Sequence, residues 1–125
     1  MKKDQLTLYA YSRCSTCRKA MAWLDAHDIA YEVEEILDNP PTTTLFHHWL
    51  EAQGVALSSL YNSSGEKYRE LRMKDRIPTL SLEEQVALLA SHGKLVKRPL
   101  LTDGNEVLVG FKEPQWAQAL LESHS

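Results

Sequence analysis

Leu6-Thr7-Leu8-Tyr9-Ala10-Tyr11-Ser12-Arg13-Cys14-Ser15-Thr16-Cys17-Arg18-Lys19-Ala20-Met21-Ala22-Trp23-Leu24 is the stretch on which the fold turns. Its first six residues are a short apolar and aromatic run, the pattern of a buried strand. Ser12-Arg13 turns the chain, and a helix can begin at Cys14, because Cys17, Ala20, Met21 and Leu24 recur at helical spacing through to His27. Beyond it, Ile29-Ala30-Tyr31-Glu32-Val33-Glu34-Glu35-Ile36 alternates apolar and charged residues, which predicts a second strand. Strand, helix and strand in succession make a β-α-β unit, expected to cross over right-handed with its strands parallel.

Both cysteines fall at this strand-to-helix turn. The thiolate is the reactive form of cysteine, and unpaired N–H groups at a helix start, together with the positive end of the helix dipole, favour it at Cys14. Such surroundings lower a thiol pKa from about 8.5 into a range of roughly 3.5–7.5. The i, i+3 spacing puts Cys17 on the same side of the first turn, so Cys14 reads as the nucleophile and Cys17 as the resolving thiol. Arg18, one turn further on, is expected to add positive charge near the pair. Two plainer readings compete. Half of a zinc site would need a second cysteine pair, and the five histidines show no ligand spacing near this one. His47 and His48, adjacent on a helix, point in different directions and read as surface residues; no metal is expected. The cysteines can also be small buried hydrophobes, but the strand-turn-helix setting favours redox chemistry. Trp23, Trp49 and Trp116, on helical faces, read as core.

Downstream, Asn39-Pro40-Pro41 breaks the chain and Thr42 or a neighbouring Thr can cap a helix carrying Leu45, Phe46, Trp49 and Leu50, ended by Gly54. Ser64-Gly65 precedes a short helical stretch with Tyr68 and Leu71 on one side. Ser81-Leu82-Glu83-Glu84 has capping-box spacing, followed by an apolar face of Leu82, Val86, Leu89 and Ala90, with Gly93 placed as the residue just past the helix end. Pro99-Leu100-Leu101-Thr102 and Val107-Leu108-Val109 flank Asp103-Gly104-Asn105-Glu106, a hairpin with a turn longer than two residues. Pro114 suits the first turn of a last helix bearing Ala117, Leu120 and Leu121. The order β-α-β, helices, then β-β-α is that of an α/β thioredoxin-like fold with a helical insertion of about fifty residues, near positions 40–95. One domain over residues 1–125 is expected, the insertion packing on the sheet. In the thioredoxin plan the residue leading into the first hairpin strand lies against the N-terminal cysteine, and its proline is commonly cis. Pro99 is therefore a candidate cis-proline, and Arg98 is expected at the Cys14 sulfur, where it would bind an oxyanion or a glutathione carboxylate or hold the thiolate. An ordinary surface arginine fits the sequence equally well.

Composition bounds the alternatives. With 125 residues, 43% hydrophobic and 25% charged, the chain matches an ordinary globular domain. A formal net charge of -3 argues against direct nucleic-acid binding, which needs many phosphate-neutralising cations. No apolar run approaches the roughly 20 residues of a membrane-spanning helix. Met1-Lys2-Lys3-Asp4-Gln5 leads into a short strand rather than a signal-peptide core, so a cytoplasmic, reducing location is expected, where a lasting structural disulfide is not. A monomer without a bound cofactor is the corresponding expectation.

Cys14-Ser15-Thr16-Cys17-Arg18-Lys19-Ala20, with Trp23-Leu24 after it, resembles the matching stretch of Spx-type transcriptional regulators. From Leu6 to Trp116 the sequence resembles the wider arsenate reductase ArsC/Spx family, with further matches at Asn39-Pro40-Pro41, Tyr68-Arg69-Glu70-Leu71, Lys97-Arg98-Pro99-Leu100 and Val109-Gly110-Phe111. In its arsenate reductase branch, the resemblance would make Cys14 the arsenate-attacking nucleophile among three arginines, with glutathione and glutaredoxin resolving the intermediate. Arg98 falls on one arginine position; the others fall near Asn62 and near Gly110 or Phe111, and that branch normally lacks a cysteine at the Cys17 position. In its regulator branch, the resemblance implies a CxxC redox switch that binds the C-terminal domain of the RNA polymerase α-subunit. Cys14, Cys17 and Arg98 match that branch, whereas Glu51-Ala52-Gln53-Gly54, at its polymerase-binding surface, does not match well. The run from Tyr61 to Tyr68 resembles reductase-like Spx/MgsR-type members carrying both cysteines. The resemblance thus implies a thiol-disulfide redox protein acting on a partner protein or small thiol, with electrons from glutaredoxin and glutathione or from thioredoxin. The alternatives it leaves are the polymerase-binding regulator and a glutaredoxin-dependent arsenate reductase.

Overall fold

The computed structural model describes residues Met1–Leu121. In chain order the elements are β1 (Thr7–Ala10), α1 (Ser15–Ala26), β2 (Glu32–Glu35), α2 (Thr43–His48), α3 (Glu66–Glu70), α4 (Met73–Arg76), α5 (Leu82–Ser91), β3 (Leu100–Thr102), β4 (Val107–Val109) and α6 (Glu113–Leu120), with a π turn over Trp49–Gln53 and short 3₁₀ turns between. This is the α/β thioredoxin-like order expected from the sequence. The chain forms two compact units, one of residues 1–34 and 98 onward, the other of residues 35–97.

The first unit carries the sheet, whose strand order is β2-β1-β3-β4. β1 runs antiparallel to β3 with Leu8 opposite Leu101, and β3 antiparallel to β4 with Leu101 opposite Leu108. Leu8, Leu24, Leu101 and Trp116 are fully buried in its core, with Trp23 nearly so. Burying each such side chain contributes about 1.5–3 kcal/mol before the entropy of ordering is set against it. β2 is shorter than the alternation from Ile29 to Ile36 predicts, and it buries little. It lies at the sheet edge with three glutamates in four residues, and Val33 is 50% exposed. Charged residues on an edge strand block pairing with a stray strand. Leu121 lies beyond α6 and is exposed.

The hairpin turn is built around Asp103, which is 7% exposed. One carboxylate oxygen accepts the N–H groups of Asn105 (2.9 Å) and Glu106 (2.7 Å), and the other accepts the Lys2 N–H (2.9 Å). Gly104, at φ 91°, takes the left-handed conformation that the turn requires. Burial pushes the Asp103 acid up, but the amides of Lys2, Glu106 and Asn105 and the terminal ammonium outweigh it and hold the pKa below the ordinary value. Asp103→Ala should therefore cost about 2 kcal/mol, the scale of hydrogen bonds made to a charged group. The folded pKa is lowered, so the ionic part of this contribution is complete above the unfolded carboxyl value near 3.9 and fades as pH falls through the folded value. Urea melts of both proteins should show a gap at pH 7 that narrows in acid; an equal gap at every pH would contradict the assignment.

In the second unit, Thr42 caps α2 by accepting the Leu45 N–H at 3.2 Å, and Gly54 ends the following π turn at φ 73°. Phe46 and Trp49 are fully buried and meet edge-to-face at 5.5 Å. His47 and His48 are half-buried, not surface residues as their neighbourhood suggested. The stretch after Gly65 is two short helices, because Arg72 at φ 53° breaks the run. The capping box at α5 is present, with Ser81 and Glu84 exchanging hydrogen bonds of 3.1 and 2.9 Å. Gly93 is not a left-handed helix cap: α5 closes at an extended His92, and Gly93 opens a 3₁₀ turn. A glycine stands there because a Cβ would run into the Ile36 carbonyl.

Candidate active site

The site begins where β1 ends. Tyr11 leaves the strand, Ser12-Arg13 turns, and the Cys14 N–H returns to the Tyr11 carbonyl at 2.9 Å. That bond sets Cys14 in extended backbone (φ -89°, ψ 118°) as the residue capping α1, and its sulfur accepts the Cys17 N–H at 3.4 Å. Sulfur here does what a Ser, Thr, Asp or Asn oxygen usually does at a helix start. Cys17, one turn in, is fully buried, and its sulfur accepts the Tyr11 N–H at 3.5 Å. One residue, Tyr11, thus fixes both cysteines through its backbone.

The two sulfurs are electrostatically unlike. Burial pushes Cys14 up, but the Cys17 thiol donating to it, the Cys17 amide, the Arg98 charge and the Thr16 amide outweigh this and hold it below the ordinary thiol value. Burial pushes Cys17 up to about 12, with its hydrogen bond to Cys14 and the Cys14 charge adding to the rise against the opposing Tyr11 amide and Arg98. Half-buried Cys14 is therefore the more readily ionised of the two sulfurs, and buried Cys17 the one that keeps its proton.

Arg98 precedes β3, and its guanidinium lies 5.3 Å from the centre of the Tyr11 ring. Its Nη1 is buried without a hydrogen-bond partner. The Arg98–Pro99 peptide bond is cis, and the Pro99 carbonyl accepts the Gly110 N–H at 2.8 Å. Arg18 is exposed and donates from Nη1 to the Ser12 carbonyl at 3.3 Å, so it braces the turn, while the cation acting on Cys14 is Arg98. Phe111, near one family arginine position, meets Trp116 edge-to-face at 4.9 Å. Asn62, near the other, belongs to the second unit. Among the described residues no group of three or more His, Cys, Asp and Glu is arranged to hold a metal ion, and no helix is long and apolar enough to cross a membrane. The sequence reading missed Tyr11, whose only signal was a bulky aromatic at the strand end facing the turn.

A thioredoxin-like α/β fold with two cysteines at the start of its first helix defines a class of thiol redox proteins and related switches. Within that class, the chain belongs to the ArsC family, whose model matches residues 9–119. It is 45% identical to YusI of Bacillus subtilis over 90% of this chain and 96% of that one. It is 27% identical to the regulatory protein MgsR of Bacillus subtilis over 87% of this chain and 85% of that one. The structure of a possible arsenate reductase from Streptococcus mutans superposes with a TM-score of 0.81 at 44% identity, over 86% of this chain and 92% of that chain.

Proposed function

We propose that the protein is a thiol-disulfide oxidoreductase in which Cys14 attacks and Cys17 resolves. The observation that carries this reading is the division of labour between adjacent sulfurs, one half-buried and held low, the other buried and held high. The Cys14 thiolate attacks a disulfide of the substrate, forming a mixed disulfide and expelling one substrate thiolate, which takes a proton from solvent. Consuming the Cys14 charge removes one cause of the high Cys17 pKa, while the Tyr11 N–H and Arg98 remain to stabilise a Cys17 thiolate. Cys17 then loses its proton and attacks the Cys14 sulfur, expelling the second substrate thiol and leaving a Cys14–Cys17 disulfide. The substrate gains two electrons and the dithiol loses two. Glutaredoxin with glutathione, or thioredoxin, would return them.

The likeness to the regulatory protein MgsR supports a second reading, a regulator; the resemblance to Spx-type regulators would make it a redox switch that docks on the C-terminal domain of the RNA polymerase α-subunit. Purified protein separates the two. Turnover of a small disulfide with thioredoxin or glutaredoxin as donor is the expected result, with arsenate turnover weak or absent because two of the family's three arginine positions fall near uncharged residues, Asn62 and Gly110 or Phe111. Capture of that polymerase domain without disulfide turnover would establish the regulator instead. Robust arsenate turnover lost in Cys14→Ser would show that the missing arginines do not matter.

A further inference from the structure

Arg98 is a cation that lacks the partners such a group normally requires. Among the described residues it makes no ion pair, and a buried Nη1 has no acceptor. A long side chain rich in rotamers does not hold one position by itself. The ring of Tyr11 does lie against it, at 5.3 Å, inside the range at which a guanidinium is attracted to an aromatic face. That same residue holds Cys14 through its carbonyl and Cys17 through its N–H.

We propose that Tyr11 is a positioning residue for the redox pair: its ring seats the Arg98 guanidinium while its backbone seats both sulfurs, so that cation and thiolate share one fixed frame. The inference rests on the reading of Cys14 as the nucleophile. Its chemical content is that Arg98 acts on the pair only while the ring is there. The phenol hydroxyl plays no part, so the ring face alone is required. Among the described residues no carboxylate pairs with Arg98, which leaves its positive charge uncancelled. A salt bridge would hold the guanidinium equally well but would offset much of its field at the sulfur; an aromatic face holds it without neutralising it.

The test follows alkylation of Cys14 by iodoacetamide against pH in the full chain with Cys17→Ser. Tyr11→Leu should move the midpoint to higher pH and cut the rate on the lower limb about threefold, the scale of a partly exposed cation–π contact. Tyr11→Phe should leave the profile unchanged. In an Arg98→Ala background, Tyr11→Leu should add nothing further. An unmoved profile in Tyr11→Leu, an equal shift without Arg98, or an equal shift in Tyr11→Phe would overturn the proposal. Should Tyr11→Leu fail to fold, the unmutated protein decides by NMR: Arg98 side-chain resonances displaced upfield by the ring support the proposal, and averaged random-coil values refute it. Failure of the underlying reading has a different appearance: Cys14 would alkylate no faster than Cys17 when Cys17→Ser and Cys14→Ser are compared.

Discussion

Cys17→Ser is expected to convert a transient mixed disulfide into a persistent one. The first half of the reaction uses only Cys14, whose thiolate keeps the Cys17 amide, Arg98 and a hydroxyl donor in place of the thiol. The second half has no sulfur left to perform it, so turnover should fall by more than about a hundredfold, the scale seen when a residue essential to one chemical step is removed. Affinity capture of the variant from cells, followed by non-reducing electrophoresis and mass spectrometry, should yield covalent adducts on Cys14 that dithiothreitol releases. Cys14→Ser should yield none. Adducts in neither variant, or equally in both, would sink the assignment of roles. A hydroxyl occupies less space than a thiol in that fully buried position, so the fold should persist with a small loss of packing.

Gly93→Ala should produce a large loss of stability for a single added methyl group. The added carbon would meet the Ile36 carbonyl and crowd the Leu37 backbone, and neither is a flexible side-chain end that can swing away. Gly93 is buried within the second unit, so the relief must come from backbone movement on one side or the other. Overpacking of this kind costs about 3 kcal/mol. For a domain of this size that corresponds to a fall in Tm of about 12 °C. Thermal and urea unfolding followed by circular dichroism measure it. A Tm within a degree or two of the unmutated protein would show that the contact relaxes freely. Gly54→Ala is the useful contrast: nothing lies within 4 Å of a Cβ there, so its cost arises from the φ of 73° alone.

The elements with strong periodicity or strong punctuation were legible from sequence. α1 declares itself by Cys17, Ala20 and Leu24, α5 by its capping box, and the hairpin by Pro99-Leu100-Leu101-Thr102 and Val107-Leu108-Val109 around Asp103-Gly104-Asn105-Glu106. What failed was whatever depends on a neighbour distant in sequence. The true length of β2 depends on its place at the sheet edge, which alternation cannot reveal. Gly93 matched a helix-cap pattern, yet the reason for the glycine is the carbonyl of Ile36. At the site, the cysteine pair was legible because its chemistry is contained in four residues. Arg98 could be argued only through the fold plan. Tyr11 was invisible, since its relation to Arg98 exists only once β1 and β3 are paired. Arg18 was expected near the sulfur from its place in sequence, and its side chain is seen donating to the Ser12 carbonyl, a contact that spacing along a helix does not foretell.

The bond from the Lys2 N–H to Asp103 joins groups 101 residues apart in the chain, and β1 completes its pairing only with residues from Leu100 onward. On a ribosome the order of events follows from that arrangement. The continuous stretch of residues 35–97 can collapse on local contacts while the strand bearing the cysteine turn still waits for its neighbour. Throughout that interval Cys14 and Cys17 are present, but Arg98 is not yet seated beside them. A chain whose sheet is still open therefore lacks the Arg98 charge at the cysteine pair, and the full difference between the two sulfurs arises only when β3 joins β1. Premature oxidation is limited by the same delay: the sulfur poised to react comes into being together with the finished sheet.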